Sequence, residues 1–244
     1  MKYLRSMPLL FLVILIVSIM LAALRICKAT NARQKLQTLA YRITLKIWRI
    51  KITQIGELAP PPVMIIANHC SYVDVPILGA LGSMRFTPKS EVRGWFLIGR
   101  VVRAFDVVFV DRTPSRANNT QSQLQQALQQ SKRLCIFPEG TTNNGTMLKP
   151  FKSSMFSLVA GTETLLQPIA IKYKSVNGAP LDAKTWECIA WFGDASLLPH
   201  MWRLGRFKNI KVEVHCLPPL NPQGANRKEL AQQAEQLIKA IVMN

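Results

Sequence analysis

Five apolar residues in unbroken succession, Val63 to Ala67, run straight into Asn68-His69-Cys70-Ser71-Tyr72-Val73-Asp74. The run reads as a buried strand, so His69 sits where a strand ends. A histidine with a carboxylate five residues on can form a base whose ring the carboxylate orients. On one regular helix that spacing separates two side chains by about 140°. His69 and Asp74 therefore meet only if His69 lies in the loop before a helix and Asp74 in its first turn, with Ser71 available as a cap. Ser71-x-x-Asp74 is also a capping-box pattern, which requires no chemistry. At this level both readings stand.

The remaining periodicity alternates between strand and helix. Residues 50–55 open a sheet, Pro60-Pro61-Pro62 breaks the chain, and a helix follows through Val75 to Leu81. An apolar helix near 94–104, a short strand from Val107 to Val110, a Gln-rich helix around 120–131 and a strand at 134–137 come next. Asn118 or Asn119 can cap the Gln-rich helix. A helix at 151–160, a strand at 168–173, an aromatic strand near 186–192 and alternating Ile210 to Val214 continue the pattern. A last amphipathic helix carries Leu230, Ala234, Leu237, Ile238 and Ile241. Spacing of this kind implies crossover connections, hence an α/β fold with a mixed sheet and helices on both faces.

The N-terminal part is of a different character. Ser6 to Leu24 is a stretch of nineteen residues without a charge, roughly 28 Å as a helix and about one hydrocarbon thickness. Ala22-Ala23-Leu24-Arg25 offers no small-x-small cleavage site, so an uncleaved anchor is expected over residues 1–28. Lys2 and Arg5 precede it; Arg25, Lys28, Arg33 and Lys35 follow. The heavier basic side belongs in the cytoplasm, which predicts a single-pass inner-membrane protein with residues 53–244 as its domain on the cytoplasmic face. Between them, over 29–52, Leu36, Leu39, Ala40, Ile43, Ile47 and Ile50 form a helical stripe with Lys35, Arg42, Lys46 and Arg49 interleaved. A basic amphipathic helix of this type suits an anionic membrane surface.

No acidic residue precedes Glu57, and ten of the eighteen excess positive charges fall in the first 56 residues. Set beside an anchor, and with no recognition motif, that charge points to lipid rather than nucleic acid. The five cysteines and three histidines are scattered, which suggests neither a zinc site nor a disulfide framework.

Three chemically loaded segments stand at successive strand ends: Asn68 to Asp74, Phe109-Val110-Asp111-Arg112, and Phe137-Pro138-Glu139-Gly140-Thr141-Thr142. Ligands collect outside such ends in open α/β sheets. In this order the segments resemble the Asn-His-x4-Asp, Gly-x-x-Phe-x-Asp-Arg and Phe-Pro-Glu-Gly-Thr boxes of the glycerolipid acyltransferases. Pro168-Ile169 matches a fourth, later box. The resemblance spans roughly residues 35–220 and implies transfer of a fatty acyl group from a thioester of acyl carrier protein or coenzyme A to a lysolipid hydroxyl. On that pattern His69 is the general base and Asp74 its orienting partner. Arg112, with Lys89 as a second candidate, binds the anionic headgroup, and Glu139, Gly140 and Thr141 shape the acceptor pocket. No metal or bound cofactor is implied. Backbone amides at the start of the first-box helix could serve the oxyanion.

The first acceptor implied is 1-acyl-sn-glycerol-3-phosphate, giving phosphatidic acid; the alternative is lyso-ornithine lipid. Asp106 stands where the second box has glycine, Thr142 replaces the common Arg or Ser, and Lys152-Ser153-Ser154 lacks a glycine found in many members. These departures, with Trp191-Phe192-Gly193-Asp194, look like the lyso-ornithine lipid branch. A catalytically inactive membrane-binding protein of the same fold is the reading from a different class; the intact His69 and Asp74 speak against it.

Overall fold

Strand β2, Val63–Ala67, is buried at every position, and the molecule is layered around it. A computed structural model describes residue 23 and residues 30–95, 98–111, 117–130, 133–145 and 147–243. Helix α1 (Thr30–Ile47) leads into β1 (Ile50–Ile55), β2, helix α2 (Asp74–Leu81) and β3 (Arg85–Phe86). Helices α3 (Ile98–Ala104) and α4 (Ala117–Gln129) precede β4 (Arg133–Ile136), β5 (Leu165–Val176) and β6 (Ala179–Pro180). The chain closes with α5 (Ala183–Glu187), α6 (Leu197–Leu204), β7 (Ile210–Cys216) and α7 (Arg227–Val242).

Among the described residues the strands form one sheet in the order β1-β7-β5-β2-β4-β3, with β6 paired to β5. β2 runs parallel to both β4 and β5, and β1 runs parallel to β7. β5 and β7 are antiparallel, so the sheet is mixed, as the element pattern predicts. Successive residues of a strand face opposite sides, and β2 divides accordingly. Val63, Ile65 and Ala67 join a cluster with Leu45 of α1, with Trp48 just beyond it, and with Ile77 and Leu78 of α2. Met64 and Ile66 join one with Leu124 and Leu128 of α4 and with Leu230 and Ile238 of α7. Both faces are thus covered by helices, which is why this strand carries no polar alternation.

Several elements differ from their sequence expectation. The aromatic segment 186–192 is no strand: the reciprocal Asp182–Thr185 capping box starts helix α5 instead, and Trp186 turns to meet Tyr173 edge-on. Local capping there outweighs β-propensity. Val107 to Val110 makes only isolated bridges, Phe86 with Val107 and Lys89 with Val110, because β3 beside it is two residues long. The helix expected at 151–160 is a pair of 3₁₀ turns, Ser153–Leu158.

Helix α1 exists, but its buried stripe is rotated from the one expected. Gln37, Ala40 and Leu45 are buried, with Trp48 just beyond the helix, while Leu39 is 51% exposed. The cause is aromatic bulk. Tyr41 stacks on Phe105 and meets Phe86 edge-on, and Trp48 meets Tyr72, so these larger side chains turn the helix toward α2. Lys35, Arg42 and Lys46 are left on the outer face, with the Arg42 Nε donating to the Ala80 carbonyl near the end of α2 at 3.0 Å. The anchor predicted over Ser6 to Leu24 lies outside the described residues apart from Ala23. Among the described residues no helix is long and apolar enough to cross a membrane.

The close approach of α1 to α2 depends on Gly79, where an added Cβ would lie 2.2 Å from the Tyr41 ring. Gly79→Ala gains about 1 kcal/mol of helix propensity and forces overpacking worth roughly 1–3 kcal/mol. A net loss of stability is expected in thermal or denaturant unfolding, reversed when Tyr41→Leu is combined with it.

Candidate active site

The first turn of α2 places Asp74 under the end of β2. Its Oδ2 accepts from the Cys70 and Ser71 amides at 2.8 and 2.9 Å and lies 2.8 Å from the His69 Nδ1. The other oxygen, Oδ1, accepts from the Tyr173 hydroxyl at 2.7 Å. The residue before the helix is Val73, which makes no side-chain cap, so Ser71 is not the cap the sequence suggests. One half of the capping box does survive, since the Asp74 carboxylate reaches back to the Ser71 amide. The two sequence readings are therefore one arrangement, with the same carboxylate holding the turn and the histidine.

Asp74 is fully buried. A carboxylate there is costly unless paired and hydrogen-bonded, and four donors meet that need. Donation from Nδ1 fixes the His69 tautomer and leaves Nε2 with its lone pair. The ring is stacked on Phe137, centroids 4.0 Å apart and planes 14° apart, which restrains its rotation. Burial, followed by the charge of Asp74, pushes the Tyr173 phenol far up, so it remains a donor. Burial also pushes the Cys70 thiol up, with Asp74 and Glu139 adding to the effect. Cys70 is thereby unsuited to act as a thiolate nucleophile despite its place beside His69.

Glu139, in the turn after β4, makes the second tie. Its Oε1 accepts from the His69 amide at 2.7 Å, and its Oε2 accepts from the Lys149 amide at 3.0 Å and from the Asn143 side chain. Asn68 makes the third tie, exchanging two hydrogen bonds with the backbone of Ile171 on β5, at 3.0 and 2.8 Å. The ends of β2 and β4 and the middle of β5 are thus joined through side chains of the first and third motifs. The amides of His69, Cys70 and Ser71 are all committed to carboxylates, which removes them from the oxyanion role open to that segment on sequence grounds.

A cavity of about 340 Å³ opens over the histidine, lined by His69, Glu139, Lys172, Tyr173, Asp182 and Trp186 among others. Gly145, at φ +72°, lets Trp186 close over the loop, since a Cβ there would strike the indole ring. Of the residues expected in the site, His69, Asp74 and Glu139 come together. Gly140 takes a φ of +76° with the Lys152 ammonium close against it; Thr141 is exposed. Lys89 precedes a 3₁₀ turn and bridges to Val110 through the backbone, away from the lining of this cavity. Arg112 lies outside the described residues. Asp106, the departure in the second motif, is ion-paired with Arg85 of β3. Among the described residues no cluster of His, Cys, Asp and Glu could hold a metal ion.

Sequence reasoning missed Tyr173, Lys172, Asp182 and Trp186. Tyr173 and Lys172 sit in an ordinary β pattern, and Asp182 and Trp186 in a segment with the wrong expected structure. Asn68 was within the first motif, but nothing in its neighbours announces a partner on β5.

The acyltransferase family model matches residues 49–172. The lyso-ornithine lipid O-acyltransferase of Pseudomonas aeruginosa is 36% identical over 184 residues, 75% of this chain and 69% of that one. The enzyme of the same name from Brucella abortus is 30% identical over 222 residues, 87% and 83% of the two chains. The crystal structure of the 1-acyl-sn-glycerophosphate (LPA) acyltransferase PlsC from Thermotoga maritima matches with a TM-score of 0.71 at 18% identity, over 99% of this chain and 96% of that one. That likeness concerns the fold.

Burial raises the Glu139 carboxyl above its ordinary value of 4.5, while the amides of His69 and Lys149, the charge of His69 and the Asn143 side chain pull it down again. The stability tied to its protonated form is complete below the ordinary value and lost as pH rises through the folded one. Glu139→Gln should remove that slope from the pH dependence of unfolding. It also sets a donor against a donor, with an expected loss of roughly 1–3 kcal/mol at neutral pH.

Proposed function

Since the chain belongs to the acyltransferase family, we propose that it is a membrane-bound O-acyltransferase moving a fatty acyl group from a thioester to a lysolipid hydroxyl. The observation that carries the reading is the His69–Asp74 pair, 2.8 Å apart, at the wall of the cavity. The His69 Nε2 takes the proton of the acceptor hydroxyl as its oxygen attacks the thioester carbonyl carbon. Asp74 stabilises the imidazolium that results. The tetrahedral intermediate collapses with cleavage of the carbon–sulfur bond, and the imidazolium returns its proton to the leaving thiolate. Base catalysis of this type supplies roughly 10²–10⁴ in rate. The larger share comes from holding hydroxyl and thioester together in a restricted cavity.

The donor is a thioester of acyl carrier protein or coenzyme A; either acidic partner suits a chain of net charge +18. Glu139, Gly140 and Thr141 shape the acceptor side, and Arg112 and Lys89 supply cations for the headgroup. Residues 6–24 anchor the chain in the inner membrane with the catalytic domain on the cytoplasmic face, and the outer basic face of α1 rests on anionic lipid.

We place lyso-ornithine lipid first among acceptors. Two relatives at 36% and 30% identity carry that name. The cavity beside His69 is lined by both Lys172 and Asp182, charges of opposite sign that match the carboxylate and ammonium of an amino-acid headgroup. Hydrogen bonds from the Thr185 side chain and amide hold Asp182 below the usual carboxylate range, so it presents a negative charge. Lysophosphatidic acid is the second reading, favoured by the match of Arg112 to the second motif of the family.

His69→Ala and Asp74→Asn should each lower acyl transfer at least a hundredfold while vesicle binding stays intact, measured with purified protein and labelled thioester. Near-normal turnover in Asp74→Asn would reduce the carboxylate to a structural role. For the acceptor, Asp182→Asn is informative because Asn caps a helix as well as Asp. It should reduce kcat/KM several-fold for lyso-ornithine lipid and spare or raise it for lysophosphatidic acid, with products read by mass. Faster turnover of lysophosphatidic acid by the unmodified enzyme would reverse the order of acceptors.

A further inference from the structure

Helix α6 has an inner face set by His200 and Leu204, both buried, and an outer face on which Leu198 is 64% exposed. Pro199 and Arg203 are exposed beside it, and Trp202 is half-buried. The turn that leads into the helix is closed by the Trp191 indole donating to the Ala195 carbonyl at 2.7 Å, and it leaves Phe192 39% exposed. Trp95, 41% exposed, meets the Trp191 ring edge-on at 6.1 Å. Three of the large apolar side chains exposed among the described residues thus lie on neighbouring segments gathered around the Trp191 ring.

The charge around these segments is mostly positive. Between Cys188 and Val212 the only acidic residue is Asp194, against Arg203, Arg206, Lys208 and Lys211. Lys208 also closes a concavity of about 580 Å³ with Arg42, Lys46, Arg49 and Lys51, whose lining contains no acidic side chain. Lys208, shortly past the end of α6, thus shares one concavity with the basic residues of α1 and β1. Aromatic contacts hold the two helices in register: Trp48 meets Tyr72 at 5.7 Å, and Tyr72 meets His200 at 5.5 Å.

We propose that the outer face of α6, with Phe192 and Trp95, inserts into the interface of an anionic bilayer as a second membrane contact beside α1. Apolar and aromatic side chains rimmed by cations suit the headgroup boundary, where the rings sit at the interface and the basic groups meet lipid phosphates. The contact would act on the site directly. Tyr72 belongs to the His69–Asp74 loop and hydrogen-bonds His200 at 3.1 Å, and the Trp191 amide donates to the Cys70 carbonyl at 2.8 Å. A bilayer against α6 thus lies next to the loop that carries the base, and a lysolipid acceptor has a short path out of the membrane. The inference rests on the proposed use of a membrane lysolipid.

The test uses the full chain in vesicles of phosphatidylethanolamine and phosphatidylglycerol, with Cys27 and Cys188 changed to Ser. A nitroxide is attached through Leu198→Cys or, as a control on an exposed turn before β5, through Glu163→Cys. The label at 198 should relax readily with oxygen and poorly with a water-soluble nickel chelate, and the label at 163 the reverse. Equal access of the chelate to both labels overturns the proposal. So does a 198 label closed to both reagents, which would mean that residues 1–29 or a second copy of the chain cover this face. Leu198→Glu should lower kcat/KM about tenfold or more for vesicle-embedded acceptor and change it less than twofold for acceptor dispersed in detergent micelles. Equal losses in the two settings contradict the proposal. Absence of any acyl transfer by the unmodified chain would defeat the enzymatic reading instead, and the depth measurement would still report on its own.

Discussion

The Asp74 carboxylate, buried and held by four donors, is the interaction on which the rest of the site depends. Moving a carboxylate out of water costs several kcal/mol even after relaxation, and here the cost is offset only because the chain delivers donors from two separate places. Three come from the loop that Asp74 itself closes, the His69 ring and the amides of Cys70 and Ser71. The fourth, Tyr173, comes from a strand 99 residues further along. Removing any of them leaves a charged group short of a partner in a dry environment, where such deficits are expensive. The same arrangement makes the histidine useful. A carboxylate that must hold the Nδ1 proton leaves the Nε2 lone pair able to accept a proton, without further adjustment of the ring.

Glu139 and Asn68 extend this logic from a side chain to the sheet. Parallel strands end in carbonyls and amides that need partners, and a site at their ends cannot rely on water if it is to bind a lipid. Asn68 satisfies the backbone of β5, and Glu139 satisfies the amide of His69 together with that of Lys149. The loops of the first and third motifs are therefore parts of one polar network, which explains why these residue types recur at these strand ends. It also limits the chemistry, because amides used to hold carboxylates cannot stabilise an oxyanion.

Away from the site, packing and charge divide the surface. Aromatic residues decide how α1 sits: Tyr41 and Trp48 seek the close approach at Gly79 and the ring of Tyr72, and the aliphatic stripe gives way. The outcome turns Lys35, Leu39, Arg42 and Lys46 outward together. On α6 a buried histidine on one face leaves leucine, tryptophan and arginine on the other. Both helices bury one face in the domain and offer a mixed apolar and basic face outward, a division suited to an enzyme whose acceptor is dissolved in a membrane.

The sequence by itself determined the fold class and the strand beneath the site, and it confined any meeting of His69 with Asp74 to one geometry. Both the strand and that geometry follow from local spacing: an unbroken apolar run demands cover on both faces, and five residues across a strand–helix junction leave a single arrangement for contact. That the carboxylate holds both the turn and the ring was decided by the fold. The family followed from three motifs in order. Other features were not legible, because their causes lie far apart in the chain. Tyr173 as a donor to Asp74, the tie from Asn68 to β5, and the presence of Lys172 and Asp182 on the lining of one cavity arise only when β5 is laid beside β2 and α5 is folded over it. The aromatic segment at 186–192 misled for a related reason: its composition favours a strand, but the Asp182–Thr185 capping box commits the backbone at its start to a helix. Local spacing chose most of the elements and the loop that carries His69, whereas tertiary contacts chose the partners that hold its ring and Asp74 in place, since a buried charge is satisfied by whichever donors the completed fold brings within reach.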